Sequence, residues 1–228
     1  TGKSYEELVR VRLWKPLQIA CTTITLTPDA RAHQAAGHDE QGNVTANWDI
    51  PTLAGAGAIR STANDMLKFA DANLHPERGA LERAMASARQ PRAPTEIPNT
   101  MIGLNWLTLH AGSDTIVWHN GGTGGYRTFI GLEPSRKIAV VVLTNSTGEG
   151  ADDIGMHLLA PALPLAAKPA PPKVRTAITI PENLLRTYVG TYQLAPSFSI
   201  VVTLDGGNLF ARATGQQAFR LWPESETD

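Results

Sequence analysis

Residues 115–132 read Thr115-Ile-Val-Trp-His119-Asn-Gly-Gly-Thr-Gly124-Gly-Tyr-Arg-Thr-Phe129-Ile-Gly-Leu132, and they decide the fold. Apolar residues recur with a period of two on both sides of a glycine-rich break, which predicts two strands meeting at a turn. The same period continues outward. Ile102 to Leu109 precedes this pair, joined by His110-Ala-Gly-Ser-Asp114. Lys137 to Thr144 follows it, joined by Glu133-Pro-Ser-Arg136. Both joints carry good turn chemistry, so four strands form an antiparallel meander. The last strand is apolar on both faces and needs two covers. A helix at about Ala151 to Leu159 supplies one of them.

Further out, Ser4-Tyr5-Glu6-Glu7 is a capping box opening a helix that Pro16 ends. Residues Thr22 to Asn47 read as loop with at most short strands. Ser61 or Thr62 caps a second helix with an apolar stripe through Met66, Leu67, Phe69, Ala70 and Leu74, closed by His75-Pro76. A short helix follows around Leu81 to Ala88, and Gln90 to Asn99 is loop. The tiny side chains of Ala54-Gly-Ala-Gly-Ala58 suit a tight turn or a close backbone approach. Five prolines between Ala160 and Lys173 predict an extended linker, placed at residues 161–174. Beyond it, four short strands, with Asp205-Gly-Gly207 as a hairpin signal, make a small β module over residues 175–228 that has too few strands to close a barrel.

Composition narrows the function. Twenty Lys and Arg against 21 Asp and Glu leave a formal charge of -1, which gives nucleic acid or an anionic membrane surface no electrostatic hold. The longest apolar run, Ile138 to Leu143, falls far short of the ~20 residues of a membrane span. A single cysteine, Cys21, excludes an internal disulfide and a cysteine-rich zinc site, and reads as a buried structural thiol. His33 and His38 lack the spacing of a helical zinc pair and read as solvated loop. No metal site and no cofactor are implied.

The glycine run carries the chemistry. Gly121, Gly122, Gly124 and Gly125 fall within five positions at a strand end. They make either a wide turn or a stretch of backbone held bare against a ligand, with N–H groups free to donate and His119 beside it. A phosphate cradle fails on context. Tyr126-Arg127 stands where a P-loop needs Lys-Ser/Thr, and a strand follows where a dinucleotide site needs a helix.

Several segments, taken in order, resemble the serine β-lactamase-related family of class C β-lactamases, D-Ala-D-Ala carboxypeptidases and esterases. They are Thr1 to Leu8, Trp14-Lys-Pro-Leu17, Ala54 to Phe69, Ile102-Gly-Leu-Asn-Trp106, His119 to Tyr126 and Ile138 to Asn145. Together they cover residues 1–160. The resemblance implies an α/β (α+β) fold with an antiparallel sheet covered by helices, and a lipocalin-like extension after the linker. It implies a serine hydrolase acting on an amide, β-lactam or ester bond through an acyl-enzyme, in the periplasm or secreted. By it, His119 takes the basic position of the third motif, and the Gly122 N–H is one of two oxyanion donors. Gly121, Thr123 and Asn145 line the substrate, Asn145 toward a carboxylate, and Asn120 either contacts the substrate through its side chain or alternates away from the cleft. The partner is a small-molecule or peptide acyl substrate.

One departure is large. No Ser is followed by Lys three places on, and no Tyr by Asn two places on. The Ser-x-x-Lys and Tyr-x-Asn motifs are therefore expected before Thr1, in a missing N-terminal segment of the same protein. The chain alone is expected to be inactive, to expose apolar surface and to swap or dimerise. The alternative is a non-catalytic pseudoenzyme or binding module of the same fold.

Overall fold

A computed structural model describes residues 2–148, 150–167 and 176–225. The chain divides into two compact units, Thr1–Ala167 and Lys168–Asp228. Unit one opens with the capping box. The Ser4 hydroxyl accepts from the Glu7 N–H, the Glu7 carboxylate accepts from the Ser4 N–H, and α1 (Tyr5–Val9) follows. The helix then widens to π geometry over Arg10–Trp14, where the Lys15 N–H reaches back five residues to the Arg10 carbonyl.

The stretch expected to be loop holds a short helix, α2 (Pro28–Ala32). Its sequence signal was Thr27 capping Ala30 and Pro28 at the first helical position. Cys21 is exposed rather than buried, because the chain around it is held by its backbone. Asp65, 2% exposed, accepts from the Ala20 and Cys21 N–H groups, the Thr22 hydroxyl and the Lys68 ammonium. That carboxylate fastens the loop to the first turn of α3 (Ala63–Leu74), whose N-cap is Thr62. The next helix is α4 (Ala80–Arg89).

The sheet has six antiparallel strands in chain order. They are β1 (Ala93–Pro94), β2 (Thr100–Ile102), β3 (Leu107–Ala111), β4 (Asp114–Thr123), β5 (Tyr126–Glu133) and β6 (Ile138–Thr144). The strand expected over residues 102–109 is thus two strands. Asn105, at φ 62°, turns the chain between them, and the Gly103 N–H closes onto the Trp106 carbonyl. Beyond β6 comes α5 (Ala151–Leu159).

The two faces of the sheet bury different helices. Ile116, Trp118, Phe129, Val140 and Val142 pack on α5, while Val117, Leu132, Ile130 and Ala139 pack on α3. Both covers that the apolar β6 demanded are present. Residues 161–166 do not extend away. Leu163 packs on the α5 cluster, its carbonyl meets the His157 ring, and the Ala166 N–H donates to Asp153. The rest of the predicted linker, residues 168–174, lies outside the described residues.

Unit two runs from α6 (Glu182–Leu185) into a four-stranded antiparallel sheet. Its strands are β7 (Gly190–Ala195), β8 (Phe198–Asp205), β9 (Asn208–Ala213) and β10 (Phe219–Arg220), in the order β10-β9-β8-β7. Ile180, Leu185, Val202, Leu209 and Ala211 form its core.

Glu6 makes a second staple of the Asp65 kind. Burial pushes its carboxyl up. The Ile24 N–H, the Thr25 and Thr23 hydroxyls and the Thr25 N–H together outweigh burial and bring it from 4.5 to about 2. A depressed carboxyl contributes stability that is present above its unfolded value and lost as pH falls toward the folded one. Glu6→Gln is expected to remove on the order of 3 kcal/mol near neutral pH and to flatten the loss of stability between pH ~4.5 and ~2. Urea unfolding at a series of pH values checks both.

Candidate active site

Strand β4 carries the glycine run, and two tight turns fix which way each of its backbone groups points. Gly112-Ser113 joins Ala111 to Asp114, and Gly124-Gly125 joins Thr123 to Tyr126. A two-residue hairpin closes on a hydrogen-bonded pair, and antiparallel ladders alternate from there. Counting from either turn gives the same answer. The odd residues His119, Gly121 and Thr123 bond to β5, and the even residues Trp118, Asn120 and Gly122 point to the β3 side. Strand β3 ends at Leu107, which pairs with Trp118. Beyond that pair the chain has turned off toward α4, where the Leu104 N–H donates to the Ala88 carbonyl. The amides and carbonyls of Asn120 and Gly122 therefore line an open sheet edge, and Gly122 is exposed.

The ring of His119 uses that edge. Its Nδ1 lies 2.6 Å from the Asn120 carbonyl oxygen. A carbonyl only accepts, so Nδ1 carries the hydrogen, and a neutral ring presents its lone pair at Nε2. His119, Gly121 and Thr123 share the α3 face of β4. The Ala54–Ala56 turn reaches this side, since a Cβ on Gly57 would sit 3.3 Å from the Thr123 methyl.

The other predicted residues stand apart. Asn120 alternates to the α5 face and donates to the Asp152 carboxylate at 2.6 Å. Asn145, past the end of β6, donates to the Ala36 carbonyl and accepts from the His38 N–H through its own carbonyl. The structure therefore brings together His119, Gly121, Gly122 and Thr123, and gives Asn120 and Asn145 other partners.

The glycines have two different reasons. Gly121 faces Thr128, whose hydroxyl would lie 2.7 Å from a Cβ, and Gly122 faces Arg127, whose Nη1 would lie 3.2 Å away. Gly124 and Gly125 are bare because another segment lies across them. Residues 34–48 clasp the hairpin tip. A Cβ on Gly125 would strike the Thr45 hydroxyl and sit 2.5 Å from the Gly37 Cα, and one on Gly124 would meet the Ala46 carbonyl and Trp48. The Tyr126 hydroxyl donates to the Ala35 carbonyl and receives from Gln34. His38 is part of this clasp, its N–H shared by the Gly125 and Asn145 carbonyls, so the solvated-loop reading holds for the exposed His33 and not for His38.

Arg127 also escaped the sequence reading. Its Nε donates to the Thr147 carbonyl at 3.3 Å, and no carboxylate pairs with it among the described residues. A cation immediately after the glycine turn was the available signal. Among the described residues no group of three His, Cys, Asp or Glu could hold a metal, and no helix is long and apolar enough to cross a membrane.

The family described as "Beta-lactamase" matches residues 1–162, and one described as "Domain of unknown function (DUF3471)" matches residues 174–228. Three curated relatives illustrate the match. "Unguisins hydrolase ungD'" of Aspergillus campestris is 33% identical over 161 residues, covering 64% of this chain and 30% of that protein. "Beta-lactamase" of Pseudomonas fluorescens is 23% identical, covering 67% and 51%. "D-alanyl-D-alanine-carboxypeptidase/endopeptidase AmpH" of Escherichia coli is 26% identical, covering 64% and 41%. The chain thus spans about half or less of each. An octameric penicillin-binding protein homologue from Pyrococcus abyssi superimposes with a TM-score of 0.60 at 22% identity, over 98% of this chain and 52% of that one. A class C β-lactamase from Rhodobacter sphaeroides gives 0.61 at 20% identity, over 70% and 56%.

Two glycine substitutions separate the clasp from mere turn strain. Gly125→Ala adds a collision to a φ of +81° and is expected to cost more than ~2 kcal/mol. Gly112→Ala, at φ +62° with nothing near its Cβ, is expected to cost about 1 kcal/mol. Urea midpoints of the two variants measure the difference.

Proposed function

We propose a serine-hydrolase role from one premise: this chain belongs to the beta-lactamase family, through residues 1–162. The observation that carries the proposal is the open edge of β4 beyond Leu107, with a Gly122 N–H that has no partner among the described residues and the His119 ring on one side of it. An acyl carbonyl lying in the plane of that edge accepts a hydrogen bond from the Gly122 N–H. As a hydroxyl attacks, the carbonyl oxygen gains negative charge and this bond strengthens, which lowers the barrier. The His119 Nε2 accepts within the proton network of the attacking group. The attacking Ser, with its Lys and Tyr partners, belongs to a preceding segment of the same polypeptide. The exposed side chains of Leu53 and Leu104, 66% and 59% accessible, support such a cover, since each adjoins a chain segment bordering the open edge.

The substrate class is an amide, β-lactam or ester, and the product of attack is an acyl-enzyme that water resolves. Arg127, on the α5 face behind Gly122, supplies a carboxylate contact that Asn145, committed to Ala36, does not. The compartment is the periplasm or the exterior, and the β module assigned to residues 175–228 is a lipocalin-like appendage. The competing reading, a non-catalytic member, rests on the absence of Ser-x-x-Lys in this chain.

A polypeptide extended through the preceding segment tests the reading. It is expected to label with a fluorescent penicillin or a fluorophosphonate, and the present chain is not. Gly122→Pro deletes the proposed donor without touching the ladder, and is expected to lower kcat by about 10²–10³ with little change in KM. Labelling of the present chain, or a preceding segment without Ser-x-x-Lys, defeats the assignment.

A further inference from the structure

Among the described residues five buried side-chain nitrogen and oxygen atoms have no hydrogen-bond partner, and three of them belong to one corner of unit one. They are Asn73 Oδ1 on α3, Arg89 Nε at the end of α4 and Thr108 Oγ1 on β3. Asn73 is 0% exposed and Thr108 3%. All three atoms are shut off from bulk solvent. Such atoms cost free energy unless something meets them, and native interiors hold few of them.

Four contacts draw the three side chains together. The Arg89 Nη2 donates to the Asn73 carbonyl at 2.5 Å, which joins the end of α4 to α3. A Cβ on Gly103 would lie 2.7 Å from the Ala88 and Gln90 carbonyls, so the turn into β3 is seated on the chain at both sides of Arg89. Trp106 stacks on Phe69, one turn before Asn73, with ring centroids 6.4 Å apart. Thr108, two residues beyond Trp106, pairs with Val117, which packs on Ala70 and Leu74, so Thr108 shares the α3 face of the sheet. The orientation of Asn73 is fixed as well. Its Nδ2 donates to the Phe69 carbonyl at 2.9 Å and leaves Oδ1 as the acceptor.

We propose that this corner is a binding site for one internal water molecule, which bridges α3, α4 and β3. The class of ligand follows from the three groups. The Arg89 Nε–H only donates, the Asn73 Oδ1 only accepts, and the Thr108 hydroxyl does both. The occupant therefore accepts from one group and donates to another, as water does. A halide accepts from Nε but has nothing to give Oδ1, and its charge faces the carboxamide oxygen. A metal cation is repelled by the guanidinium. The charge of Arg89 calls for no anion, because it stands at the C-terminal end of α4, where carbonyl dipoles favour a cation. About three hydrogen bonds to otherwise unsatisfied groups are the usual complement of a buried water. The water fixes the first residues of β3 against both helices. It thereby holds the strand end at Leu107, beyond which the β4 edge is open. This inference is independent of the hydrolase reading.

A high-resolution crystal structure of the chain grown in sodium bromide tests the site. One density peak within hydrogen-bond distance of all three atoms is expected, with no anomalous bromide signal. A bromide peak, a direct bond from Arg89 Nε to Asn73 Oδ1, or no peak in the corner overturns the proposal. A double-mutant cycle reads the bridge in solution. Thr108→Val and Arg89→Lys each remove one arm of it, and the two side chains share no direct hydrogen bond. Their shifts in urea midpoint are expected to be clearly less than additive in the double variant, because the second change finds the bridge already broken. Additive shifts overturn the bridge. If either variant fails to fold, the density in the unsubstituted chain decides the matter.

Discussion

The candidate site depends on a disparity of strand lengths. Strand β3 stops at Leu107, and β4 continues five residues past the partner of that residue, to Thr123. A β-ladder satisfies backbone groups only where two strands run together, so among the described residues the Asn120 and Gly122 N–H groups of the overhang are left without a ladder partner. Elsewhere the sheet is conventional, with α3 on one face and α5 on the other. The overhang alone leaves part of a structural strand as an open edge. Its rigidity comes from β5, which pairs with it along its full length to Thr123, and from the clasp over residues 124 and 125.

Most of this architecture was legible in the sequence. Period-two alternation located β4, β5 and β6, and capping residues located α1 and α3, because both signals are local. What failed was of another kind. The break at Asn105 was missed because alternation continues across it, and only a positive φ reveals the turn. Cys21 was misplaced because a thiol's burial depends on what lies over it, and Asp65 holds that loop by its amides from 44 residues away.

The glycine run shows the same limit more sharply. Its composition allowed a turn or a ligand surface, and the structure divides the four residues between a close-packed clasp and an open edge. Gly37, 87 residues upstream of Gly124, is the counterpart that makes the close packing feasible, and nothing local marks it. Asn120 was similarly ambiguous until the strand was phased. One residue's shift in register separates a side chain beside His119 from one bonded to Asp152.

That phasing has a consequence for how such a chain can change over time. Ten residues separate the two turns that bound β4, and both turns agree on which amides face outward. A substitution within the strand leaves that agreement intact. A one-residue deletion or insertion between Trp118 and Gly122 breaks it, carrying the imidazole to the opposite side and exchanging the roles of neighbouring amides. Length variation compatible with the edge is thus confined to the turns themselves or to paired changes, and gaps in related sequences belong there.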